Sequence, residues 1–446
     1  MSRYDIVTAY IGARWRAAML HGERLRRWQD ARVERLIEDV RAGSPFYRDL
    51  WGPLPASRWR EFPTVDKHAM MANFDRFNTI GVAHAEAMLI ALDAERRRDF
   101  SAVVRQCTVG LSSGTSGHRG LFLVSADEQT RWAGTILARA IPNLRPGHRV
   151  AFFLRANSRL YERTSSLVKF RFFDLMQPLE DVVLRLNDFR PQLIVGPPSL
   201  LGLLADARER GRLRAAPSRV ISVAEVLEPQ DRARLERIFQ CGVGEVYQCT
   251  EGLVAVSCAH GALHVQEDVM LLQTEPIDGG DATRVTPVLT DLWRRAQPIV
   301  RYRLGDVLLL DAKSCSCGSS WQRIVSIEGR QDDLCWFPAS NDVLRVVFPD
   351  AIRRMMLLAD DQITEYRVEQ AAAGELRVFI TVRKPTEFGD VAQRLRTTVT
   401  DALAAYDCRA TALTIHEGFP ASLPGAKRRR VVCTWKSSHP ASHVVT

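Results

Sequence analysis

Apolar positions in RWQDARVERLIEDVRAG (27–43) recur three and four residues apart, the spacing that lines one face of a helix, and the pattern halts at Ala42-Gly43-Ser44-Pro45. Residues 1 to about 100 accordingly read as mainly helical. Beyond them, short apolar runs alternate with helical stretches: VAFFL (150–154), QLIVGPPS (192–199), RVISVAEVL (219–227) and GEVYQCTEG (244–252). That alternation predicts an α/β layered core. From about 254 to 330 the chain turns strand-like and turn-rich, as in LHVQEDVMLLQTEP and RVTPVLTDLW. A change follows near Gly329. VFPDAIRRMMLLA then reads as helix, ITEYRVEQ and ELRVFITVRK as strands, GDVAQRLRTTVTDALAAY as helix and ATALTIHEG as strand. The pattern therefore predicts a large α/β domain over 1–330 and a small α+β domain over 331–446, near the usual domain size. The last dozen residues are expected to be a loose tail.

Bulk properties narrow the class. At 446 residues, 46% hydrophobic and 25% charged, the chain suits a large domain plus a smaller one with a sizeable core. It contains no run of about 18 apolar residues, so no membrane-spanning helix is expected. Arginines interrupt the N-terminal MSRYDIVTAYIGARWRAAML where a signal peptide needs a continuous apolar stretch, which points to the cytoplasm. The cysteine count, nine and odd, argues for reduced thiols rather than a disulfide framework. Cys107, Cys241, Cys335, Cys408 and Cys433 stand singly and are expected to be small core residues. The net charge of +9 is dispersed and carries no nucleic-acid-binding signature or aromatic interleaving. An anionic substrate, a nucleotide or an acidic carrier protein accounts for it equally well, and nucleic acid is not expected.

Several segments carry candidate chemistry. Ser112-Ser113-Gly114-Thr115-Ser116-Gly117 is rich in glycine and hydroxyl groups and precedes the apolar run LFLV. Glycines let a backbone approach an anion, and Ser and Thr offer donors, as a polyphosphate requires. The segment lacks the Lys-Ser/Thr pair of a Walker loop, and a flexible surface loop remains the alternative. Cys258-Ala-His260 with His264, and Cys315-Ser-Cys317-Gly318, collect soft ligands at spacings that suit either tetrahedral zinc or buried thiols.

The glycine-rich segment resembles the phosphate loop of adenylate-forming enzymes, the superfamily of acyl-CoA synthetases, luciferases and peptide-synthetase adenylation domains. Further segments resemble that superfamily's motifs in the same order. Tyr247-Gln248-Cys249-Thr250-Glu251 is similar to its aromatic-Gly-x-Thr-Glu motif, with Gln248 in place of glycine. The likeness implies that Tyr247 stacks on adenine, Thr250 meets the α-phosphate and Glu251 holds Mg²⁺. Pro298-Ile299-Val300-Arg301-Tyr302-Arg303-Leu304-Gly305-Asp306 resembles the block in which Asp306 would bind the ribose hydroxyls. For Arg301 and Arg303, salt bridging stays as plausible as a ligand contact. Gly329-Arg330-Gln331-Asp332-Asp333 is similar to the hinge motif, with Arg330 near the nucleotide and Asp332 at the pivot. Val223-Ala224-Glu225 resembles the element lining the adenine and acyl pockets. Pro424-Gly425-Ala426-Lys427-Arg428-Arg429-Arg430 resembles the block carrying the adenylation lysine, here Lys427. A solvated basic run is its alternative.

The nearest likeness, from about 100 to 435, is the branch of phenylacetate-CoA ligases and coenzyme-adenylylating synthetases. It implies a large multi-layer adenylation domain with a small mobile C-terminal domain. It also implies a structural zinc on Cys258, His264, Cys315 and Cys317, with His260 as the alternative ligand. The expected reaction consumes ATP with Mg²⁺, activates a carboxylic acid as acyl-adenylate and passes the acyl group to a thiol of CoA or of a carrier protein's phosphopantetheine. An adenylyltransferase that leaves AMP on a coenzyme or natural product, or a non-catalytic nucleotide- or carrier-binding relative, is the alternative. Phe170, Phe172 and Phe173 either line an aromatic acid's site or belong to the core.

Overall fold

The computed structural model describes residues 6–97, 102–111, 120–141, 147–154, 168–174, 177–277, 283–311, 313, 315–330, 333–420 and 429–435. Two compact units are present: one gathers residues up to Gln273 with 288–304 and 311–325, the other 274–287, 305–310 and everything from Ser326 on.

The first unit opens with helices α1 (Ile6–Met19) and α2 (Gly22–Gly43), several short helical turns, and α3 (His84–Arg97). Strands β1 (Cys107–Leu111) and β2 (Leu121–Ser125) pair antiparallel on either side of the glycine-rich segment. Helix α4 (Ala126–Ala140) starts on a capping box in which Ser125 and Glu128 satisfy each other's backbone N–H groups. The central sheet then follows: β3 (His148–Leu154), β4 (Val168–Asp174), α5 (Leu179–Phe189), β5 (Leu193–Gly196), α6 (Pro198–Glu209), β6 (Arg219–Val223), α7 (Pro229–Phe239), β7 (Val243–Cys249), β8 (Gly252–Ser257) and β9 (Leu263–Val265).

In space the order is β4-β3-β5-β6-β7-β8-β9, the first five parallel and the last two antiparallel. Continuous apolar strands such as LIVG, buried at every position, are what a parallel sheet covered on both faces requires. One face sets Phe153, Phe173, Ile194 and Val220 against Leu186, Leu204 and Leu235 of α5–α7. The opposite face sets Val150, Val168, Ile221 and Val246 against Leu137 and Ala140 of α4, with Ile6 and Tyr10 of α1 alongside. Phe173 is therefore core, stacked on Phe153 at 4.8 Å, while Phe170 and Phe172 are only partly buried.

The N-terminal helices are built into this unit. Val33, Leu36, Ile37 and Val40 of α2 join Tyr47, Trp51, Trp59 and Phe62 in one cluster with Val254, Met270, Leu289, Ile299 and Val300. Fully burying a side chain of this size contributes about 1.5–3 kcal/mol. The Tyr47 hydroxyl donates to the Pro298 carbonyl at 3.2 Å. Val65 forms a parallel bridge to Tyr302, its N–H donating to the Arg301 carbonyl at 3.0 Å and its carbonyl accepting from the Arg303 N–H at 2.7 Å.

Strands β10 (Met270–Pro276), β11 (Arg284–Asp291), β12 (Asp306–Asp311) and β13 (Arg323–Arg330) follow in sequence. The second unit continues with a hairpin of β14 (Cys335–Pro338) and β15 (Leu344–Val347), then α8 (Pro349–Ala359), β16 (Ile363–Ala372), β17 (Glu375–Val382), α9 (Phe388–Ala405), β18 (Ala412–Glu417) and β19 (Val431–Cys433). Its sheet runs β18-β17-β16-β19. Val391, Leu395, Val399 and Leu403 recur four apart along α9 and pack, with Ile352 and Met356 of α8, on Val368, Val378 and Ile380. The helix-strand-strand-helix-strand order expected from the sequence is present, with the hairpin and β19 added.

Candidate functional site

Strands β6 and β7 are parallel neighbours, so the residues following them, Ala224-Glu225 and Thr250-Glu251, leave the same edge of the sheet. In open α/β sheets ligands bind outside this carboxyl edge. The β7–β8 register slips by one between Tyr247, opposite Ala255, and Gln248, opposite Leu253, so the extra residue is Val254 on β8, across from the position where the motif ordinarily has glycine. The chain then turns sharply. Gly252 has φ +157°, and an added Cβ would lie 2.5 Å from Met270 Cε and 2.7 Å from Asp291 Oδ2, so a larger residue would have to displace the ends of both side chains.

This turn presents Thr250 and Glu251. The Thr250 hydroxyl donates to Glu251 Oε2 at 2.9 Å, and the Tyr302 hydroxyl also hydrogen-bonds the Glu251 carboxylate. Burial and the adjacent carboxylate raise the Tyr302 phenol far above its ordinary value, which keeps it a donor. Glu251 is buried, and among the described residues no basic side chain forms an ion pair with it. A buried carboxylate supported only by hydroxyls is suited to a hard cation, which fits Mg²⁺. Beneath it, Asp291 accepts the N–H groups of Trp293 and Arg294; burial pushes its carboxyl up to about 6 against the pull of Arg294.

Glu225 sits after Ala224, whose φ of +69° is left-handed, and its carboxylate accepts the Ser199 N–H at 3.2 Å in the first turn of α6. A carboxylate there also meets the positive end of that helix. Arg301 directs its guanidinium to the Arg60 carbonyl and to Gln273, so it serves the packing of the N-terminal segment. In the second unit, Asp306 opens β12 and lies 3.8 Å from the Arg330 guanidinium at the end of β13. Ser112 to Gly117, Asp332 and Lys427 lie outside the described residues.

A second polar centre lies in the first unit at β9. Cys258, His264, Cys315 and Cys317 bring their ligand atoms within 4.8 Å of one another. The Cys258 and Cys315 sulfurs are 3.9 Å apart, and Cys317 Sγ is 3.5 Å from His264 Nε2. Zinc bonds of about 2.3 Å to sulfur and 2.0–2.1 Å to nitrogen, in a tetrahedron, give edges of about 3.8 and 3.6 Å. His264 Nδ1 lies 3.0 Å from the Trp321 carbonyl, which requires a proton there and turns the Nε2 lone pair toward the sulfurs. The Cys317 backbone N–H and His264 pull the Cys315 thiol down to about 6, whereas burial raises that of Cys317 to about 11. The donor set and spacing fit zinc. His260 is exposed and outside the group. None of the nine cysteines is in a disulfide; four of the five single ones are buried and Cys241 is partly so.

No protein-family model matches the chain. A phenylacetate-coenzyme A ligase of Thermus thermophilus is 27% identical over 213 residues, which cover 44% of this chain and 46% of that ligase. The match thus spans about half of that relative's length. A 2-hydroxyisobutyryl-CoA ligase, solved in its postadenylation state with 2-HIB-AMP, superposes with a TM-score of 0.69 at 18% identity over 93% of this chain and 90% of that one. The chain has the fold of the adenylate-forming CoA ligases. A benzoate CoA ligase from Burkholderia xenovorans LB400 shares this adenylate-forming fold at a TM-score of 0.50 and 15% identity, over 71% of this chain and 66% of its own.

Two members of the Glu251 corner were not assigned from sequence. Tyr302 stands inside a recognised block, but only the fold shows its hydroxyl on Glu251. Arg294 adjoins Arg295 in what reads as an ordinary basic pair, although it is buried. Trp321, behind His264, follows Cys317 by four residues, and that proximity was the available signal.

Proposed function

We propose that the protein is an ATP-dependent acid–thiol ligase. A carboxylate oxygen attacks the α-phosphorus of ATP and forms acyl-AMP, pyrophosphate leaves, and a thiol then displaces AMP to give a thioester. CoA is the favoured acceptor, because the ligases that this chain resembles in sequence and fold use it. A carrier protein's pantetheine is the variant acceptor.

Glu251 carries the reading: it is a buried carboxylate at the carboxyl edge of a parallel sheet, flanked by Thr250 and Tyr302 and without a basic partner among the described residues. Mg²⁺ held there would supply positive charge to the triphosphate. Thr250 would donate to the α-phosphate, Tyr247 would face adenine, and Ser112 to Gly117 would wrap the outer phosphates. Asp306 would accept the ribose hydroxyls and Arg330 would stand beside the nucleotide. Glu225 would shape the adenine and acyl pockets while capping α6. Lys427 would bridge carboxylate and α-phosphate in the first step only, the small domain over 331–446 then turning about Asp332 relative to 1–330. Closure of this kind keeps water from a reactive acyl-AMP. Cys258, His264, Cys315 and Cys317 would hold Zn²⁺ as a closed structural set with no position left for substrate.

Acid-dependent ATP–pyrophosphate exchange, screened over aryl and fatty acids, tests the reading, with mass spectrometry of the product once CoA is added. Exchange with one acid class and a thioester product are expected. Normal ATP binding with no exchange over the whole panel would overturn it. Lys427→Ala should abolish exchange yet spare thiolysis of supplied acyl-AMP, and equal loss of both would remove Lys427 from its role.

A further inference from the structure

We propose that Arg294 is a positioning residue for adenylation, clamping the Thr250–Glu251 corner to the strand that leaves the glycine-rich segment. The inference rests on the ligase reading above.

Past the slip the β7–β8 ladder resumes one residue shifted, Gln248 opposite Leu253 and Cys249 opposite Gly252, so Thr250 and Glu251 form the two-residue turn beyond its last pair. Arg294 ties that turn to a second strand. Its side chain is buried, one guanidinium nitrogen donating to the Thr250 carbonyl and another to the Leu123 carbonyl at 2.8 Å. Gln297, also buried, completes the tie: its Oε1 accepts the Leu123 N–H at 2.8 Å and its Nε2 donates to the Leu121 carbonyl at 3.1 Å. Leu121 and Leu123 lie on β2, immediately after the glycine-rich segment. One cation and one amide thus link the backbone beyond the candidate phosphate loop to the carbonyl of the candidate α-phosphate threonine.

The base of the clamp is itself immobilised. Asp291 holds the Trp293 and Arg294 N–H groups at 2.8 and 3.1 Å, and Glu128 accepts the Ala296 N–H at 3.0 Å as well as that of Arg295. A buried guanidinium bonded to carbonyls keeps its positive charge, which also favours a polyphosphate at the same corner. Placing a reacting group even about 1 Å wrong costs on the order of 10²-fold in rate.

The test uses the full-length chain with Arg294→Met and Arg294→Lys. Arg294→Met is expected to lower the kcat of acid-dependent pyrophosphate exchange by on the order of 10²-fold, with the KM for the acid changed less than about twofold. Arg294→Lys keeps one donor and should fall between. A merely structural arginine would lower the yield or melting temperature without moving kcat per folded molecule. Wild-type turnover in folded Arg294→Met overturns the proposal, and if that variant does not fold, wild-type turnover in Arg294→Lys does so. Hydrogen–deuterium exchange of the 246–254 peptide, read on the same samples without any acid, separates this inference from the ligase reading. If the wild type itself shows no exchange of pyrophosphate, the ligase reading falls. Faster amide exchange confined to that peptide then still supports the clamp, and unchanged protection sinks it.

Discussion

The Glu251 corner and the Cys258–His264–Cys315–Cys317 cluster sit on neighbouring strands of one sheet and are built on opposite rules. The cluster satisfies itself: three sulfurs and an imidazole face one another, and the Trp321 carbonyl closes the set from behind. The corner is held from outside by a bulge on the facing strand, a glycine crowded by Met270 and Asp291, a tyrosine and a buried arginine, and among the described residues its own carboxylate accepts only from hydroxyls. A site that fills its own valences stiffens a fold. One kept in place by its surroundings, with acceptor capacity left over, is equipped to bind something that comes and goes.

Perturbing each centre separately should separate rate from stability. Glu251→Gln is expected to cost the largest effect, about a thousandfold in pyrophosphate exchange or ~4 kcal/mol of barrier, while leaving the zinc content found by elemental analysis the same as in the wild type. Retained exchange would remove Glu251 from the chemistry. Stripping metal with a chelator should act the other way, lowering the melting temperature. The stabilisation lost is about 2.7 kcal/mol for metal at a hundredfold excess over its dissociation constant. A melting curve indifferent to chelator and to Cys317→Ser would show that the cluster is only a group of buried thiols. Gly252→Ala forces a methyl group onto Met270 and Asp291 and should cost about 1–3 kcal/mol together with activity, because it strains the very turn that aims Glu251. Loss of stability alone would mean that the turn tolerates re-aiming. Trp321→Phe removes the indole N–H donated to the Leu20 carbonyl at 2.9 Å and should cost about 1 kcal/mol in thermal unfolding, with exchange activity unaltered.

Much of both centres was readable from residue order, for different reasons. The cluster's ligands fall in two short runs whose chemistry is plain, and only their meeting, across some fifty residues (Gln266 to Lys313 lie between), needed the fold. Strands such as RVISV and LIVG were visible because a sheet covered on both faces leaves uninterrupted apolar runs. The supports of the corner were hidden. Nothing in Asp-Leu-Trp-Arg-Arg says that the first arginine is buried and the second is not, since burial depends on what packs above it. Gln248 in place of glycine is a departure from the pattern; the structure keeps it paired with Leu253 and puts the extra residue, Val254, on the facing strand. For α2, the three-and-four spacing announced an apolar face without saying that Ile299 and Val300 would cover it.

The Val65–Tyr302 bridge has a consequence for annotating shortened relatives. A homologue starting at the glycine-rich loop would retain every recognisable signature and so pass a scan for them, yet it would leave the backbone edge flanking Tyr302 bare, and with it the tyrosine's aim at Glu251. For chains of this type, a full count of signatures would overestimate competence wherever the upstream sixty-odd residues, Val65 included, are missing.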